Sequence, residues 1–194
     1  MTYTTAAEVK AYLGIEGFGD DTLITNLIAR AQSAIDAYTR RTFEASSNTI
    51  HYFAVGSDTD DQYLYLDEDL AAIDEVITDA DGAATTLTLN TDFVTIPRNQ
   101  TPYHTLKILS SSDYTWDYTD DPEMGVTVSG KWAYSETAPA DIVQACIRLA
   151  AYYYRQKDAQ VFDVNTIPDA GVITTPQGLP QDVRIMLAPY INIL

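Results

Sequence analysis

Apolar residues in this chain recur with a helical period near both ends and with a strand period in between. Val9, Tyr12 and Leu13 share one helical face. Thr5 and Glu8 stand at capping-box spacing, where each side chain satisfies a free backbone N–H. A helix is therefore predicted from Thr5, with Gly14 as its stop. After the turn Gly17-Phe18-Gly19, the residues Leu23, Ile24, Leu27, Ile28, Ala31, Ile35 and Tyr38 recur at three- and four-residue intervals. That stripe predicts a second amphipathic helix, capped by Asp20 or Asp21 and closed by Arg40 and Arg41 at its negative pole.

The pattern then shortens. From about residue 48 to 135 the runs Thr49–Ala54, Tyr63–Leu66, Ile73–Thr78, Thr85–Leu89, Phe93–Ile96, Thr105–Leu109 and Val126–Tyr134 alternate Thr, Val, Tyr and Ile as half-buried strands do. Asp81-Gly82 is a turn signal between two of them. Helical spacing returns after Pro139 with Ile142, Ala145, Cys146, Leu149, Ala150 and Tyr153, and ends near Lys157. A Pro- and Gly-containing segment from about 163 to 179 reads as a loop or flexible arm. A last short helix from Pro180 carries Val183, Met186, Leu187 and Tyr190, with Pro189 ending or kinking it.

This order predicts an α+β fold: a small four-helix bundle with a β-rich insertion between the second and third helices. The expected parts are a helical scaffold over 1–47, a β-rich insertion over 48–136, and a second scaffold part with a C-terminal arm over 137–194.

Charge narrows the partners. Lys and Arg number 11 against 28 Asp and Glu, a formal charge of −17. Such a surface repels nucleic acid and anionic membrane, although it can surround DNA without gripping it. Solubility alone also accounts for acidity of this kind. Cys146, the single cysteine, falls in an apolar helical stretch and reads as a small buried hydrophobe. The N-terminus lacks a basic and apolar leader, and no apolar run reaches the ~18 residues that span a bilayer, so a soluble protein made in the cytoplasm is expected.

Catalytic chemistry finds little support. His51 and His104 stand apart in predicted strands without metal-ligand spacing, so strand positions are the simpler reading. There is no nucleophile elbow, phosphate loop or dinucleotide fingerprint. The densest acidic stretch includes Asp58, Asp60, Asp61, Asp67, Glu68 and Asp69. It lacks the glycine of a calcium loop and has Tyr63 and Tyr65 within it, so an acidic lining or solvated loop is expected there. Tyr152-Tyr153-Tyr154 covers several faces of one helix, which leaves some of these rings for an interface or a half-exposed surface. No catalytic residue, cofactor or metal is assigned.

Four stretches, in order, resemble the head–tail connector (adaptor) proteins of tailed bacteriophages. They are Thr5–Ile15, Asp20–Ile24 leading to Ala34–Phe43, Pro139–Ala145 continuing to Ala150–Arg155, and Gly178–Val183 with Leu187–Tyr190. Tyr65–Leu70, Pro102-Tyr103 and Val128–Trp132 are similar to segments of longer members. The β-rich block is longer than in compact members.

The resemblance implies a non-enzymatic virion protein of the neck. It would form a homo-oligomeric ring of about a dozen subunits below the portal. The ring would touch the portal protein and a tail-side stopper protein, and would extend the channel through which DNA passes without specific binding. Pro180, Val183, Met186, Leu187 and Tyr190 are then candidates for the portal or neighbour contact. Asp58, Asp60, Asp61, Asp67, Glu68 and Asp69 are candidates for the channel or a loop. A reading from another class is a carbohydrate- or ligand-binding module in which Trp116, Trp132, Tyr114 and Tyr118 of the β-rich insertion stack on sugar rings. Their alternative is ordinary core or interface packing.

Overall fold

The computed structural model describes residues 2–159, 164–167, 171–174 and 178–192. In chain order its elements are α1 (Ala6–Leu13), α2 (Asp21–Thr39), β1 (Thr49–Phe53), β2 (Thr59–Asp60), β3 (Tyr63–Thr78), β4 (Thr85–Leu87), β5 (Phe93–Ile96), β6 (Tyr103–Ile108), β7 (Val126–Trp132), α3 (Ala140–Ala159), β8 (Val164–Ile167), β9 (Gly171–Thr174) and α4 (Gln181–Leu187). They form two compact units. One is Thr42–Ala138; the other combines Thr2–Arg41 with Pro139–Leu194.

The first unit is a seven-stranded antiparallel sheet with the path β1-β7-β3-β6-β5, with β2 and β4 paired to β3. Its alternating sequences decide which side faces the core. In β7, Val126, Val128, Gly130 and Trp132 are buried, while Thr127, Ser129 and Lys131 are only half-buried. Leu64, Leu70, Val76, Leu106 and Phe93 join them in one hydrophobic core. Each such side chain, fully buried, contributes roughly 1.5–3 kcal/mol. At the centre, β3 runs for 16 residues. Its first half pairs with β6 and its second with β7, through register shifts between Tyr65 and Leu70 and between Ile73 and Glu75.

The second unit is helical. On α2, Ile24, Ile28, Ala31, Ile35 and Thr39 are buried along one stripe. On α3, Ile142, Ala145, Cys146, Leu149 and Ala150 are buried, and α4 adds Val183 and Leu187. The capping box of α1 forms as its spacing predicts: Glu8 N–H donates to Thr5 Oγ1, and Thr5 N–H donates to Glu8 Oε2 at 2.8 Å. Gly14 closes α1 in the left-handed conformation at φ 69°, which costs glycine nothing. Among the described residues, no helix is long and apolar enough to cross a membrane.

This architecture corrects the expected four-helix bundle with a β-rich insertion. Only α2 and α3 have bundle length. With 8 and 7 residues, α1 and α4 rise only about 10–12 Å, too short to build a bundle of four matched members. The β-rich block is the larger architecture, one continuous sheet around its own core. Two predicted strands, Tyr63–Leu66 and Ile73–Thr78, are one strand. The stretch from about 163 to 179, expected as a loop or arm, carries the antiparallel ribbon β8–β9 in its described part.

Candidate assembly surface

Three of the six acidic candidates make contacts within the sheet unit. Asp58 accepts from Ala54 N–H at 2.7 Å and its carbonyl accepts from Tyr65 N–H, clasping the chain between β1 and β3. Asp67 Oδ1 lies 3.2 Å from Nδ1 of His51, whose ring stacks on Trp132 with centroids 3.8 Å apart. Asp69, buried inside β3, faces Nδ1 of His104 at 3.4 Å. Asp60, Asp61 and Glu68 are exposed. The six do not converge on one point. Among the described residues no group of three or more His, Cys, Asp or Glu could hold a metal ion.

The aromatics proposed as sugar platforms are divided. Trp116 and Trp132 are each only 6% exposed. Their indole N–H groups donate to Gln62 O and Thr49 O, both at 3.0 Å. Buried rings with satisfied donors are core, so only Tyr114 and Tyr118 remain at the surface.

In the helical unit, the C-terminal candidates separate by face. Val183 and Leu187 are fully buried within their own unit. Met186 and Pro180 are half-buried, and Tyr190 Oη lies 3.4 Å from Asp141 Oδ2. The outward apolar residue of α4 is Ile185, 67% exposed. Sequence reasoning missed it because a seven-residue helix has too few turns to mark its faces.

The three consecutive tyrosines of α3 have three different tasks. Tyr153 lies under the Arg30 guanidinium, 4.4 Å from ring to carbon. Tyr154 donates to Asp20 Oδ2 at 2.6 Å. That bond holds the Asp20 carboxyl below its usual pKa and pushes the Tyr154 phenol up. Asp20 stands at the N-cap position of α2 without making the predicted side-chain cap, because its carboxylate is engaged by Tyr154. Tyr152 lines a cavity of about 140 Å³ together with Tyr12, Arg148, Ala151, Arg155, Pro180, Asp182 and Val183. Arg148 Nη1 donates to Asp182 Oδ2 at 2.8 Å, while its buried Nε has no acceptor among the described residues.

The turn between α1 and α2 is built to hold one ring outward. Lys10 Nζ donates to Gly17 O at 2.8 Å and to Asp21 Oδ1 at 2.6 Å. Gly17 takes a φ of 88°, a backbone that other residues rarely adopt. Phe18 follows, its ring centroid 4.9 Å from the Lys10 ammonium, and is 85% exposed. A phenyl ring between two glycines was the available sequence signal. It reads locally as a turn, since nothing in the pattern says that Lys10 will clamp it.

A family model described as head completion protein matches residues 2–193. The chain is similar in fold to a chain in the neck of an empty gene transfer agent (GTA) particle computed with C6 symmetry. The identity is 17%, the TM-score 0.60, and the match covers 97% of this chain and 89% of that one. A chain in the neck of the native GTA particle computed with C12 symmetry gives 16% identity and a TM-score of 0.58, covering 97% of this chain and 88% of that chain. A chain of the native GTA virion gives 20% and 0.55, with 97% and 89% covered. No curated protein sequence matches.

Proposed function

This chain belongs to the head completion protein family, and on that premise we propose that it is a structural head–tail connector that forms a ring in the virion neck. The observation that carries the reading is the family match across nearly the entire chain. The fold likeness to chains from GTA necks, computed with C6 and C12 symmetry, supports a ring in particular. One rotational axis and one repeated contact between unlike faces are enough to close such a ring.

In this reading the ring sits between the portal protein and a tail-side stopper protein and continues the DNA channel. The formal charge of −17 supports passage without binding, because a wall of like charge does not accumulate DNA. Exposed Asp60, Asp61 and Glu68 are the proposed contributors of the acidic set. The half-buried Pro180, Met186 and Tyr190 are the partly accessible members of the proposed portal or neighbour contact.

The test is electron microscopy of the protein mixed with its cognate portal, beside the protein alone. An added ring stacked on the portal is expected. A portal that stays bare at saturating protein overturns the reading.

A further inference from the structure

We propose that Phe18 of one copy inserts into the cavity lined by Tyr12, Tyr152, Arg148 and Arg155 of the next copy, and that this contact closes the ring. The proposal rests on the ring reading above and specifies the contact.

Both halves are on this chain. Phe18 is an apolar ring left 85% exposed on a turn that Lys10 holds in place. A flexible loop would lose entropy on docking, and a clamped one loses less. Aromatic residues, phenylalanine among them, are enriched at the cores of protein contacts. The cavity measures about 140 Å³, close to the roughly 150 Å³ that houses one benzene ring in an apolar protein cavity. Its lining supplies two tyrosine rings and two guanidinium groups, which favour an aromatic guest through stacking and cation–π attraction.

The two halves cannot serve one another within a chain. Phe18, so exposed, does not fill its own cavity. It packs on Lys10, whereas Tyr12 lines the cavity. Residues two apart on a helix point about 200° apart around its axis, so ring and cavity lie on different sides of α1. Two unlike, complementary patches on different sides make a head-to-tail contact, the type that generates rings.

The experiment is ring assembly on the cognate portal, followed by microscopy and light scattering. The variants are Phe18→Ala, Phe18→Trp, Arg155→Glu and the Phe18→Ala/Arg155→Glu pair. Phe18 and Arg155 are exposed, so the melting temperature should stay within about 2 °C of the parent. Phe18→Ala and Arg155→Glu should each raise the concentration for half-assembly about tenfold or more. The pair should cost less than the product of the singles, since both disrupt one contact. Phe18→Trp should retain most assembly. Replacing Phe18 with photoreactive p-benzoylphenylalanine should cross-link it to cavity residues of a second copy. Normal rings from Phe18→Ala, or a cross-link only to the portal or to another surface, overturn the contact and leave the ring reading standing. A parent protein that forms no ring overturns both.

Discussion

The two units of this protein differ in where their tryptophans and their most exposed aromatic ring lie. In the sheet unit, both tryptophans are buried with satisfied indole N–H groups, and carboxylates of Asp58, Asp81 and Asp92 accept backbone N–H groups at turns. In the helical unit, Phe18 is held out in solvent and a ring-sized cavity stays open beside Arg148 and Arg155. The lesson concerns acidity. A charge of −17 reads as one property of the surface, yet many of its carboxylates are structural ties inside the sheet unit. The exposed Phe18 and the cavity beside Arg148 and Arg155 belong to the less acidic helical unit.

The contrast breaks most severely at Gly130. A Cβ there would stand 2.3 Å from the Ala72 carbonyl oxygen on the neighbouring strand. Backbone cannot yield as a side-chain tip can, so Gly130→Ala should cost about 3 kcal/mol. Urea denaturation followed by tryptophan fluorescence reads it; a loss within experimental error would mean that β3 and β7 are less closely held than their pairing implies.

Next in size is Trp132→Phe. It removes the donor to Thr49 O and narrows the stack on His51. The lost hydrogen bond costs roughly 0.5–1.5 kcal/mol, and the smaller ring adds a loss of buried apolar area. The midpoint of thermal unfolding should fall accordingly.

In the helical unit the corresponding test is Thr5→Ala. It removes the cap of α1 and should cost about 1 kcal/mol. Helix content by circular dichroism should barely change while stability drops, since α1 is short.

The smallest effects distinguish the units by pH. Three backbone N–H groups, those of Thr119, Asp121 and Asp120, hold the Asp81 carboxyl below its usual pKa. Its contribution is complete above the ordinary aspartate range and is lost as pH falls through the lowered value. Asp36 in α2 is the reverse case. Burial raises its pKa, and the bond from Tyr3 Oη at 2.6 Å only partly offsets this. The folded state then holds a proton more readily than the unfolded one, so acidification through the raised value stabilises. Asp36→Asn should therefore be more stable than the parent at pH 7, with the advantage shrinking toward pH 4. An advantage that grows on acidification would reverse the sign assigned to Asp36, and Asp81→Asn should show the opposite trend.

Local pattern carried much of this protein. The stripe through Ile24, Ile28 and Ile35 specified α2, because burial on a helix repeats every three to four residues. Thr5 and Glu8 specified the start of α1, and alternation around Val126, Val128 and Trp132 specified β7. These interactions join residues close in sequence, so sequence contains them. What only the tertiary structure decided depends on residues far apart. Asp67–Asp69 reads as a break between strands, yet His51 from β1 and His104 from β6 meet its acids and β3 continues through. Asp20 reads as a helix cap, yet Tyr154 takes its carboxylate across 134 positions. Trp116 and Trp132 read either as core aromatics or as surface platforms, and backbone carbonyls at Gln62 and Thr49 decide for the core. The dominance of the sheet over the helices was decided in the same way. Whether short alternating runs close into one sheet depends on pairings between distant strands, and no local period records which strands will meet.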